Sequence, residues 1–398
     1  MKATNRVMVV GGGIAGSEAA WQLAQRGIGV DLYEMRPVKV TAAHQTDKFS
    51  ELVCSNSFGS DVTTSASRIL KDEMALLGSL ILSLARQCSV PAGASLAVDR
   101  NKFSDLITTS LSSHPNIRVF REEVKEFSSD RLVILASGPL TSPSLSEVLS
   151  KLLGSTSLYF YDAISPIVEA DSLDFSQMFF ANRYDKGETA DFLNIPLTEA
   201  QYNELVSDLL SGEVLLPHDF EEEKYFEGCM PIEVLASRGR RTLAFGPMKP
   251  VGLPDPRTGK LPHAVIQLRA ENRYKTAYNL VGFQTKLKYK EQERIFRKIP
   301  GLAQAEFLRL GSMHRNTYID SPRHLLPSLQ LKKNPSVFIA GQLTGTEGYL
   351  ESAAGGLVAG INAAQVALGL SPLSLPGTTM LGALLNAISD QTRKNFQP

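Results

Sequence analysis

The chain has 398 residues, 43% hydrophobic and 21% charged, with 41 Lys plus Arg balanced by 41 Asp plus Glu. The length suits two domains, or one large domain carrying an insertion. The charge balance excludes a global field that would draw in nucleic acid or an anionic membrane, so any such contact must come from a local patch. The N-terminus runs directly into a short apolar strand without a signal-peptide pattern. No apolar run reaches the ~18–20 residues that span a bilayer, and nothing marks a protein partner. Three cysteines is a sparse, odd count, which suits reduced thiols rather than a disulfide framework. The expectation is a soluble cytoplasmic protein with no metal site, since its three cysteines and six histidines lack ligand spacing.

In chain order, RVMVV (6–10) reads as a buried strand, GGGIAG (11–16) as a turn, and SEAAWQLAQRG as a helix closed by Gly27. IGVDLYE is a second strand ending at Glu34. The stretch from Arg36 to Ser67 is polar and aperiodic, and a loop that long inside a compact domain is more often functional than idle. Apolar spacing predicts one helix over 67–88 and another over 98–115 capped near Asp99, then strands at NIRVF and RLVILASGP.

From about Leu158 the style changes to aromatic strand segments (LYFYDAISPIV, QMFFANRY), a polar helix near 198–210, paired strands AVIQLRA and YNLVGFQ, and a charged helix at YKEQERIFRKI. This middle reads as a mixed α+β insertion. SVFIAGQLTGTEGYLESAAGGLVAGINAAQVAL then returns to strand, glycine-rich turn and small-residue helix. The expected fold class is α/β. A doubly wound, Rossmann-type domain in two parts, 1–157 and 328–398, is interrupted by an insertion domain at 158–327.

Gly11-x-Gly13-x-x-Gly16 follows a strand and opens a helix, with Glu34 closing the next strand. Gly11 permits the tight turn, Gly13 lets the backbone approach a pyrophosphate, and Gly16 brings helix and sheet together; Gly12, Ile14 and Ala15 complete the turn. The helix N-terminus offers free N–H groups to phosphates, and Glu34 can accept from a ribose diol. This context points to a dinucleotide. Two features select FAD over NAD as the bound cofactor: LASGP (135–139), with Gly138, looks like a second glycine strand, and the late segment with Gly341 resembles the closing motif of flavoproteins.

The sequence also resembles a known family. VVGGGIAGSEAAWQLAQRG, LYEMRPVK, HQTDKFSELVCSNS, VPAGASLAVDR, NRYDKGE (182–188), YFEGCMPIEVLASRG, FGPMKPVGL, MHRNTYIDSP and AGQLTGTEGYLESAAGGLVAGINAA together resemble TrmFO, the folate- and FAD-dependent tRNA (uracil-5-)-methyltransferases. The resemblance runs from about residue 6 to the end, and the blocks around Cys54, Cys229 and Tyr349 are specific to it. It implies methylene transfer from 5,10-methylenetetrahydrofolate to C5 of a uridine in the T-arm of tRNA, with FAD reduced by NAD(P)H as hydride source. Family members continue several dozen residues past KNFQP, so RNA affinity is where a shorter chain is expected to differ.

The implied chemistry needs a thiolate to add at uracil C6 and a base to remove the C5 proton. The resemblance implies Cys229 as nucleophile and Cys54 as base, with the exchanged assignment open, and Tyr349 stacking on flavin or target base. A helix starting at Pro231 would put Cys229 just ahead of its N-terminus, where the dipole favours thiolate. Glu227 and Glu233 oppose this, and Arg238, Arg240 and Arg241 offset them if they fold back. Cys88 reads as core. His314, Arg315 and Asn316 are candidates for the folate tail, an RNA phosphate or a surface loop. SRGRR with Lys249, and KLKYK with RIFRK, are the basic clusters available for RNA. A flavin oxidoreductase acting on a small molecule, or a flavin-holding RNA-binding protein without turnover, are the competing functions.

Overall fold

Val7–Val10, buried along its length, is an inner strand of a six-stranded sheet. It pairs in parallel with Val30–Tyr33 on one side and Val133–Leu135 on the other. Ile117–Phe120 and Asn334–Ile339 extend the two sides in parallel, and Gln330–Leu331 adds an antiparallel edge. A parallel sheet buried on both faces requires continuous apolar strands rather than alternating ones, which VMVV and VIL supply. The late strand therefore returns to the first sheet, as the doubly wound expectation requires. The computed structural model describes residues 6–128, 130–154, 158–185, 189–215, 225, 227–393 and 396–397, without the side chains of Leu158 and Glu227.

Two helices lock this sheet to the closing segment. Ile14–Gln25 crosses Tyr349–Ala367 so closely that a Cβ on Gly356 would sit 2.2 Å from the Ala15 carbonyl oxygen, and one on Gly360 2.7 Å from that of Ala19. The small-residue run GGLVAG is thus the contact surface that brings Tyr349 back to the glycine turn. The helix predicted over 67–88 is two helices, Ala66–Leu76 and Leu80–Gln87. Gly78 at φ +76 ends the first and the Ser79 side chain caps the second. Buried Glu18 completes that start by accepting from the N–H groups of Leu80 and Ile81.

The middle of the chain forms a second six-stranded sheet in which Leu193–Leu197, Ala264–Ala270 and Ala277–Leu280 are neighbours, followed by Ile167–Glu169 and Phe307–Arg309. Its pairs are antiparallel, so side chains alternate between faces. Leu193, Ile195, Ile266 and Leu268 pack with Tyr202, Leu205 and Leu209 of the helix Glu199–Ser211. Arg269 points the other way. One core draws on residues 7–153 and 319–388 and the other on residues 168–305. The ladder Leu158–Ala163 with Met313–Tyr318 opposes Asp162 to His314. Among the described residues, no helix is long and apolar enough to cross a membrane.

Candidate active site

The glycine turn opens on a cavity that also takes in Glu34, the 136–142 loop and the late glycine-rich segment. Gly11, Gly13, Ile14 and Ala15 line one side of it. Glu34, Gly138, Gly341 and Tyr349 line the rest of the predicted set. Gly11 adopts φ +104, and its Cβ would lie 2.3 Å from the Ala136 carbonyl oxygen. Gly16 stands behind the turn, where a Cβ would strike the Gly11 oxygen at 1.8 Å. Gly12 is covered too, its Cβ position 2.4 Å from Phe49. Gly13 differs: nothing lies within 4 Å of its Cβ position, so the side chain it lacks is space for a ligand.

Glu34 is buried and already engaged. Its Oε2 accepts from the Gly12 N–H at 2.9 Å, and its Oε1 accepts from Arg36 Nε at 2.9 Å and the Arg36 N–H at 3.0 Å. Burial pushes this carboxyl up, but the Arg36 bonds and charge outweigh that and hold it below its ordinary value. An ionised Glu34 keeps lone-pair capacity on Oε2 for a ribose hydroxyl. Arg36 also reaches Glu51 Oε2 at 3.1 Å and the Thr46 oxygen at 2.9 Å, so it ties the polar loop onto the cavity. His44, held near a pKa of about 4 by burial and then by Arg36, is a neutral wall residue.

Behind the lining residues Val53 and Tyr349 the two specific cysteines lie together. Cys54 follows the lining residue Val53, and its main-chain N–H donates to Tyr349 Oη at 2.9 Å. The Cys229 thiol lies beside Cys54 and the carboxylate of Asp162. Cys229 sits in a single 3-10 turn, and a parallel bridge between Tyr225 and Tyr161 lays this segment along the strand that carries Asp162. Asn316 Nδ2 donates to Asp162 Oδ2 at 3.5 Å. Burial lifts Asp162 to a pKa of about 6 and Glu347 to about 8, the latter helped by the Asp162 charge. Burial, followed by the Cys54 charge, also pushes the Tyr349 hydroxyl upward.

The expectation that a helix end lowers the Cys229 thiol is overturned. The following helix, Ile232–Ser237, has six residues with Pro231 outside it as N-cap, too short for a strong dipole. Contact with Cys54, burial and the Asp162 charge push the Cys229 thiol up. Glu233 does not oppose it, because its carboxylate accepts from Thr285 Oγ1 and the Lys286 N–H. Arg238, Arg240 and Arg241 are exposed, and the Glu227 side chain lies outside the described residues. Cys88 is core at 2% exposure.

Three arginines gather beside Cys54 and Tyr349 from different parts of the fold: Arg100, Arg269 and Arg309. Arg100 grips Glu271 through two bonds, 2.6 and 3.0 Å, and donates to the carbonyls of Leu52 and Cys54. Glu271 is 7% exposed, so Arg100→Ala would strand a buried carboxylate. That costs about 3–5 kcal/mol and frees the Cys54 loop. Urea melts of Arg100→Ala should show this loss, with turnover falling further than flavin content; a variant as stable and active as the parent would refute the clamp.

A family model described as glucose inhibited division protein A matches residues 6–371. The methylenetetrahydrofolate--tRNA-(uracil-5-)-methyltransferase TrmFO of Heliobacterium modesticaldum is 56% identical over 392 residues, covering 98% of this chain and 89% of that protein. Proteins of the same name from Halalkalibacterium halodurans and Moorella thermoacetica are 53% and 55% identical, each across 99% of this chain and 90% of theirs. The chain belongs to the TrmFO family. GidA of Aquifex aeolicus shares the fold, with a TM-score of 0.74 at 19% identity over 98% of this chain and 68% of that one.

Within this TrmFO fold the sequence motifs divide in two. The glycine turn, Glu34, Gly138, Gly341 and Tyr349 surround the cavity, while Cys54 and Cys229 lie together behind Tyr349. His314 and Asn316 are buried within a strand rather than placed in a surface loop, and Arg315 stacks over Tyr159 at 4.3 Å. Of the basic clusters, KLKYK with RIFRK is largely paired: Lys288 with Glu213, Arg294 and Lys298 with Asp208. Asp162, Glu347 and the three arginines were missed. A lone aspartate in the aromatic strand LYFYDA was the available signal for the first.

Proposed function

We propose that this chain makes 5-methyluridine in the T-loop of tRNA, taking the carbon from 5,10-methylenetetrahydrofolate. It is a methylenetetrahydrofolate–tRNA-(uracil-5-)-methyltransferase that uses FAD, as its family membership establishes. The T-arm as the target, the roles of single residues, NAD(P)H as reductant and a cytoplasmic location belong to this reading alone. The observation that carries the residue roles is the closeness of the two thiols to each other and to Tyr349, which lines the cavity the glycine turn opens.

In this reading Cys229 adds to C6 of the target uracil, and the ring electrons move toward C5 and O4. C5 then attacks the folate-borne methylene, Cys54 takes the C5 proton as the tetrahydrofolate nitrogen leaves that carbon with the C–N pair, and Cys229 leaves C6 as hydride reaches the exocyclic methylene. The hydride that completes the methyl group would come from reduced FAD held in the cavity. Gly11, Gly13, Ile14 and Ala15 with the helix N-terminus hold the pyrophosphate, Glu34 the ribose, and Gly12 and Gly16 the shape of the turn. Residues 1–157 and 328–398 form the FAD-binding domain and 158–327 the insertion; the two separate cores support the division, with Ile319 and Leu325 packing into the first core. Exposed Arg238, Arg240 and Arg241 are the patch we assign to T-arm phosphates.

The test is an incubation of protein with carbon-13 methylenetetrahydrofolate, NADPH and an unmodified tRNA transcript. Labelled 5-methyluridine at a T-loop position is expected, and absent from a transcript whose T-loop uridines are replaced. Label at uridines elsewhere, or none anywhere, would defeat the reading.

A further inference from the structure

What faces the Cys229 thiol is Cys54 and the Asp162 carboxylate. A nucleophile with a raised pKa needs a base in contact, and the geometry supplies one. Strand Leu158–Ala163 carries Asp162 into the thiol pair, and the opposing strand holds the carboxylate by one oxygen through Asn316. Its other oxygen, Oδ1, is buried and has no hydrogen-bond partner among the described residues. A buried carboxylate oxygen left unused is costly unless something is meant to reach it. Glu347 also faces Asp162; burial, and then the Asp162 charge, keep Glu347 protonated at neutral pH, which leaves Asp162 the one that carries the charge.

We propose that Asp162 is the general base for Cys229, taking the S–H proton as sulfur bonds to uracil C6. This rests on the methyltransferase reading above. The step balances without a further reactant. The S–H bond breaks as the S–C6 bond forms, the C5–C6 π pair moves to the C5–C4–O4 enolate, and the proton rests on Asp162. When Cys229 leaves later, the proton returns to sulfur. Asp162 acts through Cys229 and is a positioning and proton-holding residue, distinct from Cys54, which serves the C5 proton.

The sign of its effect separates this role from that of a bystander. Removing a negative charge beside a thiol increases the thiolate fraction, so Asp162→Asn should speed alkylation of Cys229 by iodoacetamide, followed by peptide mass mapping. If Asp162 is the base, the same variant should slow covalent adduct formation with T-arm RNA carrying 5-fluorouridine by about 10²-fold. Asp162→Glu should recover part of that rate. Opposite movements of the two rates support the proposal; adduct formation that is unchanged or faster in Asp162→Asn overturns it.

The wild-type protein gives a second reading that needs no variant. Its adduct rate should rise as pH passes about 6, where Asp162 ionises, and level off by neutrality. A rate still climbing by about tenfold per pH unit into the alkaline range would show that the thiol must ionise by itself, and would overturn the assignment. Absence of any adduct in the wild type, together with absence of 5-methyluridine, would instead sink the methyltransferase reading on which this inference rests.

Discussion

Gly13→Glu should give a folded, colourless protein. The backbone at Gly13 has φ −74, which any residue adopts, and its Cβ would meet no atom within 4 Å. The substitution therefore costs the fold little, yet it places a carboxylate where a pyrophosphate must lie against the helix N-terminus. Charge repulsion and lost volume act together, and flavin absorbance should fall by more than tenfold, by an estimate of about 2 kcal/mol or more for an unpaired buried charge. Gly16→Ala is the contrasting control. Its Cβ would approach the Gly11 oxygen to 1.8 Å, so this variant should lose stability as well as flavin. Full flavin content in Gly13→Glu would refute the placement of the dinucleotide.

The second large effect belongs to the thiols. Cys229→Ala should end 5-methyluridine formation while keeping FAD, because Cys229 does not line the cavity. Cys54→Ala should also stop turnover, by about 10²–10⁴-fold for a lost base. The link from residue 54 to Tyr349 is made by a main-chain N–H and survives the substitution, so loss of activity there reports the thiol itself. With 5-fluorouridine RNA the two variants should part company. Fluorine cannot leave C5 as a proton does, so the adduct stalls after the nucleophile has acted. Cys54→Ala should still form it, and Cys229→Ala should not.

The glycine turn and the late segment were legible because their geometry is local. The spacing of Gly11, Gly13 and Gly16 encodes contacts made within one turn, and GGLVAG encodes a helix surface flat enough to meet Ala15 and Ala19. The cysteines were legible only through the resemblance, since 54 and 229 approach each other by way of two sheets and a ladder. Their electrostatics could not be read at all. Asp162 reaches Cys229 through the pairing of Leu158–Ala163 with Met313–Tyr318 and the Tyr161–Tyr225 bridge, which no spacing in the sequence announces. The single helix expected over 67–88 failed for a local reason that apolar periodicity ignores: Gly78 takes a left-handed turn and Ser79 starts a new helix.

Which sulfur bonds to the substrate decides the roles of the two cysteines most directly. Trapping wild-type protein with 5-fluorouridine T-arm RNA, followed by nuclease and protease digestion and mass spectrometry, identifies the modified peptide. The predicted result is a fluorouridine nucleotide on the peptide that contains Cys229, absent in Cys229→Ala and retained in Cys54→Ala. Finding it on the peptide that contains Cys54, and losing it in Cys54→Ala alone, would contradict the assignment of nucleophile and base.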